Sequence, residues 1–149
     1  MLFRSVLVEI FERTDLPGWL RGDAGDKLGC GHSKVTDRRT TLFRRCRDAA
    51  LCGLKEDDID VQFWSMYVIW QLVGDHKERR TPGFAGLDAA LPDLRRIAAE
   101  DHRLAPGFWW PMSGEAEDVL HVFEHGQSPE VDAGERWTDT SKRGVWNRD

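Results

Sequence analysis

"IDVQFWSMYVIWQLVG", residues 59 to 74, decides the fold of this chain. From Phe63 to Val73 no charged residue occurs, and Ile59, Phe63, Met66, Tyr67, Trp70 and Val73 recur at helical spacing. A buried strand over residues 59 to 73 is the competing reading. The modest β-branched content and the lack of alternation favour a helix, and one apolar around most of its circumference runs through the middle of a domain. The expected fold is therefore mainly α: a single-domain bundle of about five helices around a central apolar helix 59–74.

The flanking segments supply the other helices. Upstream, the carboxylates of "KEDDID" suit the positive end of a helix dipole. Gly53 followed by Leu54 predicts a helix stop in which the glycine takes the left-handed conformation. Before it, Thr36 or Asp37 caps a helix whose apolar face carries Leu42, Phe43, Cys46, Ala49 and Ala50. The chain opens with apolar residues at 2, 3, 6, 7, 10 and 11, an amphipathic helix ended by "TDLPG". Residues 14–35, with Pro17 and five glycines, show no sustained period and read as a long Gly-rich loop.

Downstream, "TPGFAGLDAALPDLRRIAAEDHRL" carries a helical stripe interrupted at Pro92, where the helix kinks or a fresh one begins with proline in its first turn. After "APGFWWPM", Ser113 caps a last short helix ending at Gly126. Residues 1–126 are expected to form one helical domain. Residues 127–149 read as an irregular polar C-terminal tail, packed on it through Trp137 and Trp146 or mobile.

Composition narrows the class. A chain of 149 residues with 40% hydrophobic and 32% charged residues has enough sequence for one ordinary core. Three cysteines cannot complete a disulfide framework, no leader-like segment opens the sequence, and no stretch is long and apolar enough to span a bilayer. These features point to a soluble cytoplasmic protein. The net charge of −5 is uneven, with basic groups concentrated in residues 34–47 and acidic groups in residues 115–139.

Candidate sites follow from local motifs. His121-x-x-Glu124-His125 resembles the metal-binding motif of the inverted zinc peptidases over five residues. That resemblance implies His121 and His125 as ligands and Glu124 as base, with a further downstream glutamate that this sequence does not supply. Placed on a helical wheel with Ala116 at zero, Val119, Leu120 and Phe123 fall within roughly 60°, whereas the two histidines fall near 140° and 180°. They point away from the apolar face, so no metal or other cofactor is expected. Were a surface metal held, the ligands would be His121, His125 and Glu117, one turn further back.

Cys46 and Cys52 lie about 240° apart on their helix and cannot readily share an ion with Cys30 and His32. Residues 49–59 have helix-turn-helix spacing, yet the second helix would present Glu56, Asp57, Asp58 and Asp60 to a polyanion, which argues against nucleic acid. The glycines of "GDAGDKLGCGHSK" lack the order of a phosphate-binding loop.

The expected function is that of a small acidic binding protein, of the inhibitor or immunity type, acting by stoichiometric association with another protein. Its binding residues are expected to be Trp19, Arg21, Trp109 and Trp110. The competing reading is a small enzyme with a pocket between the Gly-rich loop and "GFWWP", metal-assisted through His121 and His125, in which His32 and Glu124 carry the chemistry. On the wheel both histidines of the last helix face outward. Replacing both with Ala in metal-free protein should therefore change the free energy of unfolding in urea by no more than about 0.5 kcal/mol.

Overall fold

A computed structural model describes residues 2–29, 40–74, 84–107 and 110–125. Among them are six α-helices: α1 (Leu2–Glu12), α2 (Gly18–Gly29), α3 (Thr41–Gly53), α4 (Ile59–Gly74), α5 (Leu91–Glu100) and α6 (Met112–His125). A 3-10 helix, Phe84–Ala90, leads into α5. The β-pairing among the described residues is one isolated bridge, Leu104 to Pro111. The chain is thus a mainly α single domain, and the alternative of a strand over 59–73 falls. The expected tail, 127–149, lies outside the described residues.

The all-round apolar sequence of α4 dictates the arrangement. Eleven of its sixteen residues are buried, so it needs cover on every side, and α2, α3, α6 and the 3-10 helix all pack on it. Along one flank its aromatic rings meet edge to face: Phe63 with Trp64 at 4.8 Å, Trp64 with Tyr67 at 5.4 Å, and Tyr67 with Trp70 at 5.8 Å. The helix starts where Asp58 Oδ1 accepts from the backbone N–H groups of Asp60 and Val61, at 3.0 and 3.1 Å.

The expected loop 14–35 is corrected by α2, which occupies its middle. Gly18, Gly22, Gly25 and Gly29 repeat at spacings of four, three and four, which places them on one helical face. That face lies against α4. A Cβ on Gly22 would stand 2.7 Å from the Trp64 ring, and one on Gly29 would stand 2.5 Å from the Tyr67 ring. Gly25 sits between two helices, 3.0 Å from Phe11 of α1 and 3.2 Å from Trp64 by the same measure. The glycines are thus a flat surface that admits large rings, and their poor intrinsic helix propensity is offset by tertiary packing.

Three smaller expectations are also corrected. Thr36 and Asp37 lie outside the described residues, and α3 is capped by Thr40, whose Oγ1 accepts from Phe43 N–H at 3.1 Å. Gly53 does not adopt a left-handed conformation; the positive-φ glycines among the described residues are Gly86 and Gly107. Gly53 is required because a Cβ there would collide with Ser65 Oγ of α4. Finally, α6 begins at Met112 rather than after Ser113. At Pro92 the second alternative holds, with a fresh helix carrying proline in its first turn.

One polar hub ties the two halves of the bundle. Arg103 donates to Asp101 through Nε at 2.9 Å and Nη2 at 2.7 Å, to Gln62 Oε1 at 2.8 Å, and to the Asp57 carbonyl at 3.1 Å. Gln62 Nε2 in turn donates to the Leu54 carbonyl at 3.0 Å. The corner between α3 and α4 is thereby fastened to the end of α5.

The glycine face yields a prediction of opposite sign in the peptide and in the protein. In an isolated α2 peptide, Gly22→Ala or Gly29→Ala should raise helicity, because Ala is favoured over Gly by about 1 kcal/mol. In the whole chain each should lower stability by about 1–3 kcal/mol in urea denaturation, since the added methyl would stand 2.7 Å from the Trp64 ring or 2.5 Å from the Tyr67 ring and must displace it.

Candidate functional site

The α1 helix carries more apolar surface than its neighbours cover. Leu7, Val8 and Phe11 are buried against the core, whereas Phe3 is 61% and Val6 49% exposed. With Leu7 at zero on the wheel, Phe3, Ile10 and Val6 fall at roughly −40°, −60° and −100°, a continuous stripe beside the buried face. Ile10 is half-buried and continues it toward the core. At the start of α2, Trp19 is 66% exposed. Of the four large apolar side chains exposed among the described residues, three belong to this helix pair; the fourth is Leu104.

Arg21 has another role. Its side chain is buried, and it donates twice to Glu56, Nη1 to Oε1 at 2.7 Å and Nη2 to Oε2 at 2.6 Å. Nε donates to the Phe11 carbonyl at 3.3 Å. The two-pronged contact with Glu56 keeps the guanidinium charged and raises its pKa further. One residue thus joins α1, α2 and the turn before α4. A cleft of about 300 Å³ opens beside it, walled also by Arg45, which is paired with Glu12, and by Cys52. Its charged walls are already matched within the chain.

The last helix places His121 and His125 side by side, with ring centroids 4.1 Å apart and planes tilted by 37°. His121 is half-buried, while His125, Glu117 and Glu124 are exposed. Glu124 Oε2 lies 3.7 Å from His125 Nε2. No group of three or more His, Cys, Asp or Glu side chains suited to one metal ion occurs among the described residues. Cys46 is enclosed in the core, where burial pushes its thiol up to about 12, and Cys52 is exposed on the other side of α3. Cys46 is therefore not a ready thiolate ligand.

Trp110 is half-buried and packs on Gly114, where a Cβ would stand 2.9 Å from its ring. Its carbonyl accepts from Ala105 N–H at 2.8 Å, which closes the turn before α6. His32 and Trp109 lie outside the described residues, as do residues 30–35 and 108–109 of the segments expected to line the pocket. The described cleft beside Arg21 is lined by neither Trp19 nor Trp110.

A scan against models of protein families finds no match, and neither the search of characterised proteins nor that of solved structures finds one.

Sequence reasoning overlooked Phe3 and Val6 as surface residues, although the signal was present. The apolar residues of α1 span about 240° of the wheel, far more than the arc of roughly 100° that a surface helix normally buries. The Glu56 partner of Arg21 carried no such signal, because the two are thirty-five residues apart.

The role of Arg21 is testable. Arg21→Met should cost about 2–3 kcal/mol, less than for a fully buried pair because Glu56 is 29% exposed. Adding Glu56→Gln should recover part of that loss, since it removes the carboxylate left without its guanidinium. A double-mutant cycle from urea denaturation measures both.

Proposed function

We propose that this chain is a small acidic binding protein that associates one-to-one with another protein, in the manner of an inhibitor or immunity-type protein. The α1–α2 pair supplies the contact. The observation that carries this reading is the exposed apolar stripe of Phe3 and Val6, continued by Ile10 and accompanied on the same pair by Trp19. Apolar side chains of this size cost free energy when left in water, about 25 cal/mol per Å², and regain it on association. The same helix pair and the turn between them carry exposed charged groups of both signs, Arg13 with Asp15 and Lys27 with Asp23, a mixture common at the rims of protein contacts.

Two further observations fit the reading. The pair is braced from beneath by Arg21 and Glu56, so its surface is presented without large rearrangement. Cys46 and Cys52 are free thiols, which fits a reducing compartment such as the cytoplasm. No helix among the described residues is long and apolar enough to cross a membrane.

The proposal is tested with a triple variant, Phe3→Ser, Val6→Ser and Trp19→Ser, whose melting should stay close to that of the wild type because all three side chains are exposed. Wild-type protein immobilised in a lysate of its own host should retain one partner in stoichiometric amount, and the variant should lose it. Recovery of the same partner by both proteins would move the contact elsewhere. Turnover of a small-molecule substrate by the triple variant at wild-type rate would favour the enzyme.

A further inference from the structure

We infer that the C-terminal turn of α6 is a binding site for one divalent transition-metal ion of the nickel, copper or zinc class, held by the imidazoles of His121 and His125. This inference is independent of the partner contact on α1 and α2. Three observations meet at this turn.

First, the two histidines stand four residues apart, so their side chains rise from the same side of the helix one turn from each other. The rings already lie together, with centroids 4.1 Å apart. A borderline cation needs nitrogen donors at about 2.0–2.1 Å, which a modest rotation of both rings provides without backbone movement. His125 is exposed and His121 half-buried, so the larger share of that rotation falls on His125.

Second, the local charge favours a cation. The α6 segment has no Lys or Arg, its exposed carboxylates are Glu117 and Glu124, and Glu124 lies 3.7 Å from the Nε2 of His125. Third, His125 lies in the last turn of the helix and His121 one turn before it, where the negative end of the dipole adds to that field.

Two imidazoles select the class of ion. Nitrogen donors suit nickel, copper and zinc, whereas magnesium and calcium demand oxygen ligands. With two protein ligands and water in the remaining positions, the ion has no fixed catalytic geometry. Its effect is to clip the final turn of α6 and stabilise the helix end.

The test is calorimetric titration of nickel chloride into the untagged full-length chain after removal of metals by chelator. The expected result is one ion per chain. His121→Ala and His125→Ala should each weaken binding on the order of a hundredfold, because each removes the chelate rather than half of the binding. The double variant should bind little more weakly than either single one. Magnesium chloride should give no heat of binding.

Circular dichroism and melting in chelator confirm that the variants are folded, and His125→Gln replaces any that is not. Three outcomes overturn the inference: binding that survives either single substitution, binding lost instead on His102→Ala, or two weak equivalents per chain that disappear one at a time.

Discussion

The close approach of α2 to α4 is the contact on which the rest of the bundle is built. The rings of Trp64 and Tyr67 project from a helix that must be covered on every side, and large rings normally hold a neighbouring helix at a distance. Gly22, Gly25 and Gly29 remove the Cβ atoms that would meet these side chains, and Gly18 on the same face does so for Asp58 at the start of α4. Because Gly25 lies between Trp64 and Phe11, the same flat face also seats α1. Dispersion attraction along this surface offsets what four glycines cost in backbone entropy. Position on α2 therefore governs where α1 sits, and α1 in turn packs on α3.

Polar side chains fix what apolar packing leaves adjustable. Hydrophobic burial is not directional, and helices can slide over one another at small cost. The Arg21–Glu56 pair and the Arg103–Gln62–Asp101 hub remove that freedom at two corners, each joining segments distant in sequence. In both places an arginine serves several acceptors at once, which its planar array of donors permits. Arg103 holds the Asp101 carboxyl below the ordinary carboxylate range. That contribution to stability is present at neutral pH and is lost as pH falls through the lowered value.

Among the described residues, two surfaces carry chemistry that the core does not use. On α1 the apolar arc is wider than its described neighbours cover, and on α6 two imidazoles lie together, one half-buried and one exposed. Exposed apolar surface is retained at a cost unless something covers it, which is why the α1–α2 pair, rather than the internally matched cleft by Arg21, carries the proposed contact. The proposed metal site asks less of the fold, since its two donors come from one helix.

The sequence by itself determined the helical class and the central place of residues 59–74, because these depend on periodicity along one segment; the outward side read for the two histidines of the last helix holds for His125, whereas His121 is half-buried. The imidazole pair belongs to the same group, since four-residue spacing alone puts both rings on one side. Only the tertiary structure decided the rest. Four glycines in twelve residues look like a loop when judged by propensity, and become a helix only because Trp64 and Tyr67 are there to fill the space. Gly53 has the local pattern of a left-handed stop, and its true constraint is Ser65 on the next helix. The pairing of Arg21 with Glu56 and the burial of Glu115 and Asp118 have no counterpart in local sequence. In each case the deciding partner is far away in the chain, and a pattern read along the chain reports only what a segment prefers alone.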